Sequence, residues 1–360
     1  MNSKLRAIAF VLPQYHPIPE NDTWWGKGFT EWTNVTKAKP LFEGHYQPHL
    51  PTELGFYDLR LPEARAEQAT MAQEYGIHGF CYYHYWFNGK RLLNQPIDGI
   101  LKQKDLDMPF MLCWANENWT RRWDGMDEDV LMGQNYSFED DKEHMRWLCE
   151  QVFSDDRYIT VDGKPVFVIY RYNLFPDIKK TLQLWRDIAV QEYGLKGLYL
   201  CFTESFGEQA IPSKIGFDAA IEFSPHAVIK NKIKVKPKQS VLGKLFKAEK
   251  SLDVDFRDFK LGVEDCMNRT VPEYKLYRGV TPSWDNTARK NENGIVAKGS
   301  SPELYYKWLK HVVDNFKPYS SEENFVFINA MNEWAEGNHL EPCIKYGRAY
   351  LETTKKALEG

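Results

Sequence analysis

Residues 325–337 read Phe-Val-Phe-Ile-Asn-Ala-Met-Asn-Glu-Trp-Ala-Glu-Gly, a short apolar run that ends directly in two carboxylates and a tryptophan. Short apolar runs bounded by polar residues are typical of buried strands. Seven further runs of this kind precede it, which gives eight strand candidates. They span residues 7–12, 79–83, 110–114, 166–170, 198–202, 219–223, 279–281 and 325–330.

Amphipathic stretches separate these runs. The helix candidates span residues 63–75, 95–102, 140–152, 177–193, 302–316 and 347–358. Eight strands that alternate with helices predict an α/β fold, a (β/α)8 (TIM) barrel, in preference to a doubly wound sheet. No glycine-rich nucleotide motif follows any of the runs, which weakens the doubly wound alternative. We predict one catalytic domain over residues 1–360, with extended loops after the strands and an insertion around residues 224–262.

The composition excludes several classes of protein. Lys and Arg number 46 against 50 Asp and Glu, so a general nucleic-acid binder is not expected. The six cysteines are scattered and form no CxxC pair, which favours reduced thiols and no structural zinc. No apolar run approaches the roughly 20 residues of a membrane span, and the run at 7–12 is too short for a signal-peptide core. These features predict a cytoplasmic protein.

The insertion is rich in lysine. Residues 229–238 alternate lysine with apolar or polar residues, and residues 251–259 alternate apolar residues with charged ones, so the two could pair as a hairpin. Between them, residues 241–250 have an apolar and a basic helical face. One interpretation is a solvated flap packed on the barrel. The other is weak association of the basic segment 229–250 with an anionic membrane surface, peripheral to the inner membrane.

Polar and aromatic residues follow six of the eight strands, at the end of a barrel where active sites form. Tryptophan and tyrosine rings can stack on sugar rings, while amides and carboxylates bond hydroxyls, so we predict a shared carbohydrate site. The candidate substrate-binding residues are Tyr15, His16, His84, Trp86, Trp114, Asn116, Glu117, Trp119, Glu204, Trp284, Asn332 and Trp334. The alternative is ordinary loop packing, with Glu117 paired to Arg121 or Arg122 and Asp285 paired to Arg289.

One histidine pair and two acidic stretches are weaker candidates for a functional site. His45 and His49 flank Pro48, which is incompatible with a helix interior, so a metal site is not predicted. Residues 127–129 and 155–156 are acidic, as in enzymes that bind a nucleotide sugar through a metal. Since no nucleotide-type strand turn precedes them, we interpret them as solvated loop charges.

Glu333 and Glu336 are the strongest candidates for catalysis. They lie three residues apart on a turn, so both can face one pocket. Glycoside cleavage needs a pair of carboxyl groups, one of which protonates the leaving oxygen. Trp334 between them could exclude water and raise the pKa of the acid. The alternative is a surface or capping pair.

The segment NEWAEGNHLEP at 332–342 resembles the NEW-x-EG-x-x-x-EP signature of glycoside hydrolase family 99, the endo-α-mannosidases and endo-α-mannanases. The chain resembles still more closely the WbsX-type proteins, which are described as lipopolysaccharide-biosynthesis glycosyltransferases and grouped with family 99-like domains. That second resemblance covers nearly the whole chain. The stretches that carry it are AFVLPQYHPIPEND, WWGKGFTEWTNV, HYQPHLPTELGFYDLR, GFCYYHYWFNGKRLLNQP, PFMLCWANENWTRRWDG and PSWDNTAR.

The resemblance implies a (β/α)8 barrel and a retaining hydrolysis that needs neither metal nor cofactor. In the family 99 enzymes the 2-hydroxyl of the sugar attacks its own anomeric carbon to give a 1,2-anhydro sugar. Carried over, Glu333 would assist the 2-hydroxyl as base, and Glu336 would protonate the leaving oxygen and then activate water. Ala335 departs from the histidine that the mannosidases commonly carry there, so the resemblance leaves the sugar unspecified.

Three functions therefore remain open at this point. The first is a glycoside hydrolase or transglycosylase on an α-linked oligo- or polysaccharide of the bacterial surface. The second is a glycosyltransferase of O-antigen or capsule biosynthesis, and the third is a non-catalytic glycan-binding barrel. The paired glutamates favour the first, and the missing nucleotide motif counts against the second.

Overall fold

The structure, a computed structural model, describes residues 5–121, 126–207, 209–233 and 254–360. Its centre is a sheet of parallel strands, here numbered β1 to β8, whose residues are almost all buried. They are β1 Arg6–Val11, β2 Ile77–Phe87, β3 Phe110–Trp114, β4 Lys164–Ile169, β5 Tyr199–Glu204, β6 Ala219–Glu222, β7 in two pieces Leu276–Tyr277 and Gly279–Val280, and β8 Phe325–Ile328.

The strands close into a barrel. Each strand from β1 to β6 pairs in parallel with the next, and β1 also pairs with β8 through Arg6–Phe325 to Ala9–Ile328. Strand β7 completes the ring, since its first piece pairs with β6 and its second with β8. Inside the ring, the Phe10 side chain contacts the rings of Tyr83 on β2, Phe327 on β8 and Phe223, which follows β6. The (β/α)8 barrel that the sequence predicts is therefore confirmed.

Helices lie between the strands and in the loops that follow them. They are α1 Pro19–Trp25, α2 Glu31–Lys37, α3 Pro62–Glu74, α4 Gln95–Lys102, α5 Phe138–Gln151, α6 Ile178–Gln191, α7 Pro212–Ile215, α8 Ser224–Val228, α9 Phe259–Met267, α10 Thr287–Lys290, α11 Pro302–Asp314 and α12 Ala349–Glu359. Side-chain caps start several of them. Ser137, Asp177 and Ser301 accept hydrogen bonds from the first turns of α5, α6 and α11, which satisfies backbone N–H groups that have no partner in the helix.

Short strand pairs and single 3-10 turns build up the loops around the barrel. The pairs join Lys90–Leu92 to β2, Thr160–Val161 to β4, Trp119–Arg121 to Met126–Met132, Asp255–Asp258 to Ile295–Lys298, and Asn332–Glu333 to Asn338–His339. The 3-10 turns are Tyr172–Leu174, Asn291–Asn293 and Trp334–Glu336. Most of these additions enlarge the end of the barrel where the strands finish.

The two ends of the predicted lysine-rich hairpin do meet. The backbone of Lys232 forms an isolated antiparallel β-bridge with that of Arg257. The Lys232 ammonium lies 3.4 Å from a carboxylate oxygen of Asp255. The strand at Asp255–Asp258, however, takes its parallel partner from Ile295–Lys298. The amphipathic piece at 241–250, on which the membrane interpretation depends, lies outside the described residues.

Burial in the structure tests the expectations for the cysteines and for Asp155. All six cysteines are buried and free, as expected. Asp155 is not a solvated loop charge: its carboxylate is buried and pairs with Arg157 and Lys104 at 2.8 and 2.7 Å. Among the described residues, no helix combines the length and apolar character that a membrane crossing requires.

Candidate active site

A cavity of about 330 Å³ opens at the carboxyl ends of the barrel strands. We call it the main cavity. Its walls are largely aromatic, and all of its charged groups except Glu117, which follows β3, belong to the segments that follow β7 and β8. The aromatic lining is Trp24, Trp25, Tyr83, Tyr85, Trp119, Tyr170, Phe206, Phe223 and Trp284, and the charged lining is Glu117, Arg289, Lys290, Glu333 and Glu336.

A tight turn after β8 brings Glu333 and Glu336 to this cavity together. The turn is closed by the strand pair Asn332–Glu333 and Asn338–His339 around the single 3-10 turn. It ends at Gly337, whose backbone is left-handed with φ 55°. A Cβ at Gly337 would lie 3.1 to 3.2 Å from atoms of Asp285 and His49. Glycine is required there because both the backbone conformation and the space exclude a side chain.

Arg289, on the one-turn helix α10, bridges the two glutamates. Its Nη1 lies 2.5 Å from Glu336 Oε1, and its Nη2 lies 2.8 Å from Glu333 Oε2. The same Nη2 also pairs with Glu31 Oε1 at 2.7 Å. Glu31 is fully buried and accepts a hydrogen bond from the backbone N–H of Ala335 at 2.9 Å. One guanidinium thus fixes three carboxylates, and Glu31 attaches the turn to helix α2.

Burial governs the ionisation of the pair. Burial, and then the charge of Glu336, raise the pKa of Glu333 to about 8, although Arg289 opposes the shift. Burial also raises the pKa of Glu336. The single charge of Arg289, which three carboxylates share, does not offset the free-energy cost of burying Glu333 and Glu336 in ionised form. The pair therefore retains a proton near neutral pH, which acid catalysis requires.

The turn is held from behind by predicted site residues that do not line the main cavity. Asn332 accepts a hydrogen bond from the backbone N–H of Leu12 at 2.7 Å, and the Tyr15 hydroxyl donates to the Asn332 carbonyl. The Trp334 indole donates to Glu341 Oε2 at 2.7 Å. Asn332, Tyr15 and Trp334 therefore position the turn.

Glu117, Trp119 and Trp284 are the predicted substrate-binding residues that the structure brings to the main cavity with the two glutamates. Glu117 pairs with Arg171 at 2.6 Å, which is a different arginine from the two expected. Asp285 does not pair with Arg289, because its carboxylate lies on the far side of the turn, 2.7 Å from His45 Nε2.

Four predicted residues near β2 and β3 lie outside the lining and bond into the scaffold. His84 and Trp86 lie against helix α5, where His84 Nε2 is 2.9 Å from His144 Nε2 and the Trp86 indole donates to Asp140 at 2.9 Å. The Trp114 indole donates to the Trp86 carbonyl at 3.2 Å. Asn116 is fully buried, and its amide donates to the Arg171 carbonyl at 2.8 Å.

His16 and Glu204 are also outside the lining. His16 is fully buried, and burial lowers its pKa to about 4, so it is neutral there. Glu204 pairs with Arg269 at 2.5 Å and accepts from Tyr274 at 2.5 Å. Glu204 is therefore bonded into the protein, whereas neither ring nitrogen of the buried His16 has a hydrogen-bond partner among the described residues.

Three residues of the site cannot be recognised as site residues from the sequence pattern. Glu31, Arg289 and Tyr85 all fall inside the quoted family-like stretches, but neither spacing nor composition marks them as parts of one site. In the part of the chain that the structure describes, no three side chains of His, Cys, Asp or Glu gather as a metal site.

Comparisons with known proteins identify the family of this chain. A sequence profile of the family described as glycosyltransferase WbsX matches residues 7–354. The chain is 43% identical over 353 residues to a protein of Xanthomonas campestris pv. campestris described as uncharacterized protein WxcX. The match covers 98% of this chain and 49% of that protein, so the chain spans about half the length of the curated relatives it matches.

Solved structures share the fold at low identity. An endo-α-mannosidase of glycoside hydrolase family 99 from Bacteroides thetaiotaomicron superposes with a TM-score of 0.61 and 14% identity, over 98% of this chain and 96% of that one. A structure described as a glycoside hydrolase-like protein gives 0.59 and 13%, over 100% and 95%. At this identity the likenesses show the shared barrel fold and do not identify the reaction.

Proposed function

Because this chain belongs to the glycosyltransferase WbsX family, a family of carbohydrate-active enzymes, we propose that its main cavity cleaves or transfers a glycan. The reaction is that of a retaining, endo-acting glycoside hydrolase or transglycosylase. The observation that carries this proposal is the convergence of Glu333 and Glu336 on Arg289 in an aromatic cavity. Two carboxyls that share a proton supply the acid and the base of glycoside chemistry.

The first half of the reaction forms an anhydro sugar. Glu333 accepts the proton of the sugar 2-hydroxyl while that oxygen bonds to the anomeric carbon. The bond from the anomeric carbon to the leaving oxygen breaks, and Glu336 gives its proton to the leaving oxygen. A 2-hydroxyl bonded to Glu333 favours the ionised form of that carboxyl, which leaves the shared proton on Glu336. Arg289 keeps both carboxylates in place throughout.

The second half restores the enzyme. Glu336 takes a proton from water, or from an acceptor hydroxyl, as that oxygen attacks the anomeric carbon. The bond between the anomeric carbon and the 2-oxygen breaks, and Glu333 returns its proton to that oxygen. Two inversions give net retention. Water as acceptor makes the enzyme a hydrolase, and a sugar hydroxyl makes it a transglycosylase.

The proposed substrate is an α-linked oligo- or polysaccharide of the bacterial surface. The mechanism requires that its 2-hydroxyl lie trans to the leaving group, as it does in α-mannosides. The aromatic walls of the main cavity suit the C–H faces of pyranose rings. The family description favours a role in O-antigen or capsule assembly.

The test uses the repeat-unit oligosaccharide of the producing strain as substrate. Glu333→Gln and Glu336→Gln are each expected to lower turnover by at least ~100-fold while glycan binding stays measurable, since general acid–base groups contribute about 10² to 10⁴. Glu292→Gln, an exposed carboxylate close to α10, is the matched control and should keep full activity. Substantial turnover in both cavity variants would reject the pair as catalytic, and intact turnover with inverted product would reject the anhydro mechanism.

The family description also favours a second candidate, a transferase that uses a nucleotide sugar. Thermal shifts with UDP-, GDP- and dTDP-sugars and Mn²⁺ separate the two. We expect no shift specific to one nucleotide sugar. A clear shift that the Glu336→Gln variant retains, together with transfer to an acceptor glycan, would replace the hydrolase proposal. Glycan binding without turnover by the unmodified protein would instead indicate a non-catalytic barrel.

A further inference from the structure

A second cavity, of about 160 Å³, lies on the other side of Trp284 from the main cavity. We call it the rear cavity. Trp284 lines both cavities, and Gly337 at the end of the catalytic turn lines the rear one. The backbone N–H of Asp285 donates to the Glu336 carbonyl at 2.7 Å, so the wall of the rear cavity is bonded directly to the catalytic turn. Nothing in the proposed reaction uses this space.

Two lysines line the rear cavity without a carboxylate partner among the described residues. Lys298 and Lys345 both line it, and no carboxylate among the described residues lies within ion-pair distance of either ammonium. Each ammonium instead faces two aromatic rings, at 5.0 and 5.1 Å for Lys298 and at 4.7 Å twice for Lys345. The rings are Phe42 and Phe256 for the first, and Tyr46 and Tyr346 for the second. Such contacts hold the lysine stems in place and leave the charge unneutralised.

Among the described residues, Asp285 is the one carboxylate that lines the rear cavity, and its oxygens already have partners. Asp285 Oδ2 lies 2.7 Å from His45 Nε2, and Oδ1 accepts from the backbone N–H and the hydroxyl of Thr287 at 3.0 and 2.6 Å. His45 Nδ1 accepts from the backbone N–H of Leu41, so the ring proton is on Nε2 and points to Asp285. The lysines are therefore the groups that remain for a ligand charge.

The rear cavity also offers a hydrogen-bond acceptor. His339 Nδ1 donates to the Glu341 carbonyl at 2.9 Å, which leaves His339 Nε2 as an acceptor. His49 Nδ1 lies 3.0 Å from that nitrogen and must donate to it. Burial lowers the pKa of His49 to about 4, so the ring is neutral and its Nε2 accepts. His49 lines the rear cavity, and no described residue bonds to its Nε2.

The unpartnered groups of the rear cavity call for a ligand that offers both a hydrogen-bond acceptor and a hydrogen-bond donor. Trp284 is only 7% exposed, and no described residue forms a hydrogen bond with its indole N–H. Two ammonium groups and an indole N–H call for an anionic acceptor, whereas the His49 nitrogen calls for a hydroxyl donor. Sulfate meets only the first requirement, and hydrogen phosphate offers a single hydroxyl. A sugar acid meets both.

We propose that the rear cavity is a second glycan-binding site, which takes a sugar that bears a carboxylate, such as a hexuronate residue. Lys298 and Lys345 would bind the carboxylate, and His49 would accept from a ring hydroxyl. That the ligand is a sugar rests on the proposed function; that it is an anion does not. The polysaccharide substrate would then contain acidic units, and binding at the rear cavity would contact the wall of the catalytic turn.

The experiment compares methyl glucuronide with methyl glucoside, which differ only by the carboxylate, in ligand-observed NMR titrations. The Glu336→Gln protein is used, so the result does not depend on turnover or on the catalytic proposal. The glucuronide is expected to bind at least ~10-fold more tightly, since hydrogen bonds to charged groups contribute about 1.5 to 3 kcal/mol. Lys298→Met with Lys345→Met should reduce its affinity to that of the glucoside. Lys307→Met, an exposed lysine on α11 that lines neither cavity, is the matched control.

Methionine keeps the apolar stem against the rings, and the melting temperature of each variant checks its folding. If the double variant does not fold, each single variant carries the same test, with a partial loss of affinity expected. Equal affinity for the two glycosides, or an unchanged glucuronide affinity in the lysine variants, would overturn the proposal. Inorganic phosphate that binds at these lysines while the glucuronide does not would show an anion site without the sugar.

Discussion

The two faces of strand β2 have opposite roles. Tyr83 and Tyr85 line the main cavity, whereas His84 and Trp86 lie against helix α5. On the inner side, the rings border open space where a substrate can lie. On the outer side, the Trp86 ring stacks on His144 with centroids 4.6 Å apart and planes 12° apart. Consecutive residues of one strand thus alternate between the cavity and the scaffold.

The difference shows that an aromatic side chain near a strand end is not by itself a binding residue. Both faces are nearly buried, and both carry polar atoms. What separates them is what the side chains border, since the Tyr83 hydroxyl on the inner face also accepts a hydrogen bond within the protein, from Asn329 at 3.1 Å. Trp86 and His84 bond to side chains of α5, whereas the side chains of the inner face border the space between Glu117 and Glu333. Substitutions on the inner side should therefore change substrate binding and turnover, and those on the outer side should change stability.

Arg289 on the inner side should give the largest effect. Arg289→Met leaves Glu31, Glu333 and Glu336 buried without their shared cation. Breaking a buried ion pair costs about 3 to 5 kcal/mol, so urea denaturation should show a loss of that order. Turnover per folded molecule should fall by about 10² to 10³, the usual cost of losing one charge-stabilising donor.

The control is Arg60→Met, which removes an exposed pair with Asp58. An exposed pair contributes about 0 to 1 kcal/mol, so the free energy of unfolding should change little and turnover should not change. If Arg289→Met unfolds no more easily than this control, the three-carboxylate arrangement is not what holds the turn.

Adjacent residues of β2 test the two faces directly. Trp86→Ala should cost about 3 to 5 kcal/mol of stability, as large-to-small core changes do, with KM unchanged in the folded fraction. Tyr85→Ala should raise KM by about 10-fold, because a ring that contacts a substrate contributes roughly 0.5 to 1.5 kcal/mol beyond its buried area. Its stability should fall less, since the ring borders a cavity.

Both variants are measured by urea denaturation and by kinetics on the same preparation. Trp114→Phe, which keeps an aromatic ring at the scaffold side of β3, is the milder companion and should leave KM alone. A rise in KM for Trp86→Ala equal to that for Tyr85→Ala would show that the face of the strand does not decide function.

The barrel itself could be predicted because its signal is local. Each apolar run, such as 325–330, carries its own strand pattern, and the alternation of runs with helices is enough to indicate eight strands. The same reasoning places the end of β2 at residue 83, because a histidine follows the apolar run, whereas the strand continues to Phe87. The early end wrongly assigns His84 and Trp86 to the cavity.

The catalytic pair could be predicted since Glu333 and Glu336 meet within one turn. Arg289 and Glu31 could not, because their contact joins positions 258 residues apart and exists only when α2 and α10 pack together. Asp285 illustrates the same limit. Its distance in sequence from Arg289 suits an ion pair, yet the turn between them directs the two side chains to opposite sides. Sequence spacing gives proximity but not direction.

On the scaffold side, Glu341 gives a smaller effect that depends on pH. Its carboxylate accepts hydrogen bonds from Gln68, Tyr57 and Trp334, yet burial still raises its pKa to about 7 from an ordinary 4.5. The folded protein therefore holds this proton more tightly than the unfolded chain, and stability is lost as pH rises from about 4.5 to 7. At about 1.4 kcal/mol per pKa unit, the cost above pH 7 is about 3 kcal/mol.

Glu341→Gln isolates this cost because glutamine does not ionise. Relative to the unmodified protein, the variant should gain up to about 3 kcal/mol in free energy of unfolding between pH 4 and pH 8. Urea denaturation at several pH values measures the difference, and the exposed Glu292→Gln should show none. A difference that does not change with pH would mean that Glu341 ionises normally.

The smallest effect is expected at Phe206, on the rim of the main cavity. Its side chain is 49% exposed and its backbone is left-handed, with φ 53°, which is costly for a bulky residue. A hydrogen bond from its N–H to His226 Nδ1 at 3.1 Å holds this conformation, and the Arg171 guanidinium lies 4.5 Å from the ring centre. Strain held in this way at a cavity rim indicates a ring placed for a ligand. Phe206→Ala should raise KM about 3- to 10-fold with kcat unchanged. Phe206→Tyr should preserve KM, whereas Phe206→Leu, which keeps apolar bulk without the ring, should behave like alanine; equal KM values for leucine and tyrosine would show that the rim needs no aromatic face.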